Sequence, residues 1–557
     1  MKSYLAIALA LCSGVLLSAD RTFPSAGGDL ATDDGWGGKK PDSGDNVYIN
    51  KAGDYIFSDD VTFNSFNVSN GACNVNLSNA KLTLGKKGDG AFYCKPNGGG
   101  RTVFSGGKIV FSNHGRCFPY VAPDSVGVVE FTGGCVITNA DYFYATRSSS
   151  NGRVEITGGT MIFATNRFAV LQGNGMNNVV EINNGSKVFA TGNVYSELGG
   201  NQGAVEGGNE LIVAGAGSLF SKDSDKDFVL GNVTIGNKLT VVDGGKCSLS
   251  GKGGLKVRTS YNEIVVSNAT FSCANAFCLG DNDNSSYNIF RITGPDITKD
   301  SVSLPFMGDW LISGHHHKIS IENGAKWRKG SANSFFTNAH HCVFSVKDMG
   351  TQFGDLNYAF YLGTNNKMST AVCEDNAVEI CDGAIFNAGR FMLMGLRNSL
   401  VVSNATLNVD NKNDKNGIRI GYQDGELVAA NCVLCLKGAT PKINVDVDAD
   451  QKACWVQNSS AIRFEIPKEG YVPNHVPVSL GGKFLFDSGC RFEIDCDDFA
   501  RAGGGTLTLI ETGADMTQAT RDAIAAGVTG LPEGSSLRIS KKSIKLHCPR
   551  GFAISIR

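Results

Sequence analysis

Five of the eight histidines fall in two runs, His315-His316-His317 and His340-His341. Neutral imidazole is a frequent metal ligand and a proton carrier near neutral pH. Each run precedes an apolar segment, one starting at Ile319 and the other at Val343. His316 and His340 stand at the same offset from those starts, and so do His317 and His341. If the two segments stack, His316 is expected over His340 and His317 over His341. Four imidazoles at one corner could share a divalent metal such as Zn²⁺, Cu²⁺ or Ni²⁺. Cys342 is the one further ligand type beside them. The structural alternative is a polar corner of stacked rings.

A second constellation is acidic. Glu130, Glu155 and Glu181 each follow a valine, Val129, Val154 and Val180, at the same point of a recurring pattern. They are expected to point outward in one column. Like charges at strand spacing repel, and a bound cation such as Ca²⁺ or a cationic ligand could offset that. The alternative is a solvated column partly neutralised by neighbours such as Arg153. The adjacent acids Asp33-Asp34, Asp59-Asp60 and Asp497-Asp498 lie in turn-like or terminal stretches. Paired carboxylates do acid–base work across a substrate when about 5 to 9.5 Å apart; adjacent acids in loops read as solvated.

Cysteine is the third candidate. Of 17 cysteines one, Cys12, lies in the N-terminal apolar run, leaving an even number. An even number in an exported chain permits disulfides. Cys135, Cys247 and Cys435 fall within strand-like stretches, where a thiol packs as a small apolar group. Cys432-x-x-Cys435 is the only C-x-x-C and lacks the second half of a zinc motif.

The elements that position these residues are repeats. One pattern recurs: apolar, any, apolar, any, then Asn, Asp or Gly, then Gly or Ala. It reads Val129-Glu-Phe-Thr-Gly-Gly134, Val154-Glu-Ile-Thr-Gly-Gly159, Val180-Glu-Ile-Asn-Asn-Gly185 and Leu239-Thr-Val-Val-Asp-Gly244. It returns at Ile264, Ile319 and Leu400, with weaker copies at Val75, Thr102, Leu211, Phe290, Val343, Val378, Leu427 and Phe484. From Val75 to Leu427 the starts are 22 to 35 residues apart. Period-two alternation makes a half-buried strand, and the Asn/Asp/Gly position suits a left-handed turn. A strand this short cannot bury its apolar face alone, so successive copies must stack. The expected fold is all-β: a right-handed single-stranded parallel β-helix of about 14 coils. Val154, Ile156, Val180, Ile182, Leu239, Val241, Ile264 and Val266 should face its core. The expected organisation is a signal peptide over 1–19, an N-terminal cap over 20–65, and the helix over 66–440. Last coils and a small C-terminal cap with one helix, Met516 to Ala526, fill 441–557; the repeat is expected to fade from about Pro441.

Composition agrees. Gly is 70 of 557, far above the usual share, while Pro is only 13. That suits many tight turns between short strands. The formal charge of −2 supplies no basic surplus, so nucleic acid is not an expected partner. Lys2, the apolar run Tyr4 to Leu17 and Ser18-Ala19 read as a secretory signal cleaved before Asp20. No membrane span is expected after its removal, and the chain is expected to be secreted or held at the cell surface. Sequons such as Asn268-Ala-Thr and Asn404-Ala-Thr arise where a turn asparagine meets a small residue.

Trp36, then Pro41-Asp-Ser-Gly-Asp-Asn-Val-Tyr-Ile49, then the ladder of copies, and finally Thr506-Leu-Thr-Leu-Ile-Glu-Thr-Gly513, Leu531-Pro-Glu-Gly534 and Ile544-Lys-Leu546 together resemble bacterial secreted parallel β-helix proteins of the autotransporter-passenger type. The resemblance implies a fold and an extracellular life, not an activity. A following membrane β-barrel is not expected, since no series of alternating strands of about ten residues succeeds the cap. Many parallel β-helices are polysaccharide lyases or hydrolases, but the N-T-D, G-H-G and R-x-K motifs expected of a polygalacturonase-like enzyme are absent. The leading expectation is a surface or extracellular scaffold for adhesion or ligand binding, its partner an extracellular polysaccharide or surface component. The alternatives are a polysaccharide-active enzyme and a metal-binding protein built around the histidines.

Overall fold

The computed structural model describes the chain except residues 1–18, 70–71, 86–90, 97–98, 122–125, 193–195, 200–206, 281–284, 295–309, 328–333, 364–372, 411–415, 423–428 and 550–557. The expected secretory signal, apart from Ala19, and the start of the copy expected at Leu427 lie outside the described residues. The chain divides into two units, Met1–Gly253 and Gly254–Arg557. Both are β-solenoids of short strands in parallel register, with 56% strand and 4% helix.

In the first unit a coil holds up to three strands. Arg153–Ile156, Met161–Gln172, Val179–Ile182, Lys187–Ala190 and Ser196–Leu198 show the order. Each strand pairs with its counterpart in the next coil: Val154 with Val180, Ile162 with Val188, Glu197 with Val229. The alternation works as the pattern dictates. Val154, Ile156, Val180, Ile182, Leu239 and Val241 are buried, and so are Ile264 and Val266 of the second unit. The turn position takes the left-handed conformation in Asn184, Asp243, Asn268, Asn323 and Asn404, whose φ lies between 47° and 54°.

Parallel stacking reaches further than the copies suggest. Asp20–Thr22 pairs with Asn46–Ile49, which pairs with Ser65–Val68, so the expected cap is already coiled. At the other end Val433–Lys437, Ala461–Glu465 and Arg491–Asp495 stack in turn, well past Pro441. Hydrophobic alternation persists there while the turn signature is lost. The antiparallel cap begins at Gly505–Thr512, which pairs with Ser543–Cys548; that strand also pairs with Ser536–Ile539. The expected helix spans Gln518–Gly527, and its Thr517 side chain accepts from the Thr520 N–H at 3.1 Å. A second, unexpected helix, Asp497–Arg501, carries the acids Asp497 and Asp498 in its first turn, where they complement the helix dipole.

Each described coil also turns a tight corner just before its first strand, and from Asn178 onward the inward residue there is buried and has a side chain that can accept a hydrogen bond. In the first unit these are Asn178, Asn209 and Asn237. The Oδ1 of Asn209 accepts from the backbone N–H of Asn178 at 3.1 Å and from its amide at 2.9 Å. Asn237 does the same for Asn209 at 3.4 and 3.1 Å. The second unit repeats the device through Asn262, Asn288, His317, Cys342, Asn376, Asn398, Cys432 and Ser460. Most links use a side-chain O, N or S to accept the N–H of the coil before.

Replacing Asn209 with Ala would strip Asn178 of two bonds inside a dry corner. Leaving buried donors unpaired costs about 1–3 kcal/mol each. Asn209→Ala is expected to lose roughly 2–4 kcal/mol, while Asn184→Gly at an exposed left-handed turn changes stability by only a few tenths. Denaturant midpoints of the two variants check the contrast; equal midpoints would remove the ladder as a stabilising device.

Candidate functional site

The residue just before each ladder residue is left-handed and points outward. In the first unit Asn151, Asn177, Gly208 and Gly236 fill this position, all types that tolerate positive φ. In the second unit it is Tyr261, Tyr287, His316, His341, Asp375, Arg397, Asn431 and Ser459, with φ from 53° to 60°. Bulky residues are rarely found there. The four rings form one column. Tyr261 and Tyr287 stack at 5.2 Å between centroids, Tyr287 and His316 at 4.8 Å, His316 and His341 at 5.0 Å, all within 11° of parallel. Tyr261 is 58% and Tyr287 46% exposed. Beside this column His315 stacks on His340 at 4.8 Å.

The histidine pairing therefore differs by one residue from the expected one. His315, not His316, lies over His340, and His316, not His317, is the neighbour of His341. His317 leaves the exposed corner and joins the buried ladder. The cause is the strand after the second run. Lys318 pairs with Val343 and Ile319 with Phe344, so the inward pair is Phe344 and Val346, and Asp348 takes the left-handed turn. Val343 points outward.

The ring column ends in charge. His340 Nδ1 lies 3.4 Å from Glu374 and His341 Nδ1 4.0 Å from Asp375. Arg397 binds both carboxylates, donating to Asp375 at 2.8 and 2.7 Å and to Glu374 at 2.9 Å. That fork holds the Asp375 carboxyl below its usual range. Glu322 and Glu493 are also lowered: burial works to raise them, and Lys347 with Arg291, or Arg491 with Arg463, overcomes it. None of these carboxyls is held protonated to act as a general acid. Among the described residues no group of three His, Cys, Asp or Glu is arranged to hold a metal ion. The rings cover one another's faces, so the column offers its edges: hydroxyls and ring nitrogens repeating about every 5 Å.

His317 has a defined role. Its Nδ1 accepts from the Asn288 N–H at 3.1 Å, and its Nε2 donates to the Ser313 carbonyl at 2.7 Å. Both partners require the neutral Nε2–H tautomer. Burial pulls its pKa down to about 4; the Ser313 carbonyl opposes this, and His315 and His316 add to it.

Glu130, Glu155 and Glu181 do stand in one register column. Arginines supply the opposing charge. Arg101 binds Glu130 at 2.5 Å and also reaches Glu155; Arg153 binds Glu155 at 2.8 Å and also reaches Glu181. Asn183 donates to Glu181 at 2.7 Å. The same zipper recurs in the second unit, where Arg463 and Arg491 hold Glu493 at 2.6 and 2.8 Å. Among the described residues the cysteines are free thiols, and all but the half-buried Cys381 are buried; burial pushes Cys135 up to about 12. No helix among the described residues is long and apolar enough to cross a membrane.

Sequence reasoning missed Tyr261, Tyr287, Glu374, Asp375 and Arg397. A signal was present: Tyr261, Tyr287, His316, His341, Asp375 and Arg397 each precede by three the first inward residue of a strand, Ile264, Phe290, Ile319, Phe344, Val378 and Leu400. Comparison with family models, curated proteins and solved structures returns no match, so the site is read from its geometry.

The lowered His317 pKa carries a sign. Between pH 6.5 and 4 the unfolded imidazole binds a proton that the folded one refuses, so stability is complete above pH 6.5 and falls as pH drops to about 4. The loss is on the order of 3 kcal/mol. His317→Asn, which keeps an acceptor in the ladder, is expected to remove this share of the acid sensitivity. Denaturant unfolding of both proteins at pH 7 and pH 4.5 measures it; an unchanged pH dependence in the variant would exclude His317 as the source.

Proposed function

We propose that the chain is a secreted or cell-surface β-solenoid scaffold that binds an extended extracellular polysaccharide through the exposed ring column of its second unit. One observation carries this reading. Tyr261, Tyr287, His316 and His341 occupy left-handed exposed positions that the first unit fills with Asn or Gly. Local strain of about 1 kcal/mol or more per bulky residue, placed on a solvent-facing column, is what a binding surface retains at the expense of stability. Stacking offsets part of it, by about 0.5–1.5 kcal/mol per pair. Hydroxyl and imidazole edges at regular rungs suit a ligand that is itself a regular chain of hydroxyls. Extracellular placement is supported by the charged start, apolar run and small residues before Asp20.

Tyr261→Asn/Tyr287→Asn restores the residue type best suited to the turn. The double variant is expected to keep its melting temperature within a few degrees. It is also expected to lose at least about tenfold in affinity for whichever member of a polysaccharide panel the wild type binds, a difference of about 1.4 kcal/mol. Retention on immobilised polysaccharides and assay of new reducing ends read binding and cleavage separately. Undiminished binding by the variant rejects the column as the site, and chain cleavage by the wild type moves the reading to an enzyme.

A further inference from the structure

The second unit carries another outward column whose charges are not zippered. Its third strands Asn416–Ile420, Lys452–Val456 and Lys483–Phe486 stack in parallel. Asn416, Lys452 and Lys483 are direct neighbours across the rungs, as are Arg419, Trp455 and Leu485. Two ammonium groups one rung apart repel. In the Glu130 column such repulsion is answered by arginines. Here neither lysine has a carboxylate within ion-pair distance among the described residues. The cations gather instead around aromatic rings. Lys452 Nζ lies 4.0 Å from the Trp455 ring centroid, and the Arg419 guanidinium lies 5.3 Å from Trp455 and 4.5 Å from Tyr422. Burial, Arg419 and Lys483 together hold the Lys452 ammonium below its usual pKa, against the pull of Asp487. Cations gathered this closely give this flank a positive potential.

Trp455 also forms one wall of an open cavity of about 660 Å³, a volume typical of small-ligand sites. Asn458, Ser459, Asp487, Ser488 and Thr520 line it with amide, hydroxyl and carboxylate groups. Asp487 accepts from Trp455 Nε1 at 2.9 Å, and Asn458 and Ser459 have φ of 51° and 55°. These two residues form the same left-handed turn that recurs along the solenoid, as at Asn184-Gly185 and Asp243-Gly244.

We propose that this flank binds an acidic oligosaccharide, with Lys452 and Lys483 taking carboxylates of successive uronic acid residues and the Trp455 cavity taking a neighbouring sugar. The choice of ligand class rests on the extracellular polysaccharide reading, but the residues and the column are separate from the ring column. Rungs about 4.8 Å apart place the two ammoniums at a spacing that consecutive sugars of an extended chain can meet. The polar cavity with an aromatic wall suits a hydroxylated ring better than an apolar ligand.

The test is calorimetric titration of the full chain with a hexamer of galacturonate and with its fully methyl-esterified counterpart, which keeps the chain and removes the charge. The wild type is expected to bind the acid, to bind the ester at least about tenfold more weakly, and to lose acid binding at about 0.5 M salt. Lys452→Gln/Lys483→Gln is expected to reduce acid binding at least about tenfold with an unchanged or higher melting temperature, because a repulsive pair is removed. Tyr261→Asn/Tyr287→Asn is expected to bind the acid as the wild type does. Absence of wild-type binding, equal binding of acid and ester, or equal binding by the lysine variant overturns the proposal. Loss in the tyrosine variant alone places the acid on the ring column, which overturns this site and leaves the earlier reading standing. Loss in the lysine variant alone supports this site, whether or not the tyrosine variant keeps its binding to the panel.

Discussion

The structure depends on how a backbone can turn a corner in the dry interior of a coil without losing hydrogen bonds. Sheet pairing satisfies the strands, but the corner N–H before each first strand points along the stack with no strand to meet it. A buried N–H left alone costs more than a typical bond contributes. The corner residue of the next coil answers with its own side chain: Asn209 for Asn178, Asn237 for Asn209, Asn398 for Asn376. The amide nitrogen then binds a carbonyl a few residues earlier, as Asn237 binds Thr234 at 2.8 Å and Asn262 binds Thr259 at 2.9 Å. The bonds work only when coils are in register, so the polar corner selects the same alignment that buries the valines and isoleucines.

His317 shows how strict the corner is. It departs from asparagine yet keeps the acceptor toward Asn288 and the donor toward a carbonyl of its own coil, Ser313. Cys342 accepts from the His317 N–H at the longer 3.4 Å that sulfur requires, and its thiol faces the His340 carbonyl at 3.4 Å. A histidine between Asn288 and Cys342 is held neutral by partners that both need it so, a structural use of a residue whose type first suggested metal chemistry. The exposed residue beside it answers to a different demand. The corner needs a left-handed residue there, which Asn and Gly meet most easily, and the second unit installs tyrosine and histidine instead. Fold and surface are decided at consecutive residues, His316 and His317, by opposite criteria.

Much of the fold was legible because period-two alternation and turn asparagines are local signals. The core positions Val154 to Val266 needed nothing beyond them. The first and last coils were less legible because Asn46–Ile49 and Ala461–Glu465 keep the alternation without the turn signature. The site was half legible. Clustering of histidines was visible, but their register hung on whether Val343 or Phe344 faces inward. In the run Val343-Phe-Ser-Val346 either choice gives an apolar residue, so alternation alone was ambiguous. The turn residue resolves it: Asp348 falls at the left-handed position only if Phe344 is inward. Tyr261 and Arg397 were invisible to a search by residue type, since their meaning lies in their shared offset from the strands and not in their chemistry.

Parallel in-register stacking has a further consequence for the surface. Every outward position becomes a column at rung spacing, and any charge placed on it meets its own kind unless the column alternates. The glutamates at 130, 155 and 181 are each bridged by Arg101 or Arg153, and Glu322 lies between Arg291 and Lys347. These columns are internally closed and have little charge left for a ligand. Lys452 and Lys483 form a column that the chain itself leaves open, next to Arg419 and at the edge of a cavity. On a surface built by repetition, compensation is the default that stability favours. The places where it is withheld, like the places where an aromatic ring replaces asparagine at a left-handed turn, cost the fold stability and are therefore where the proposed ligand contacts are placed.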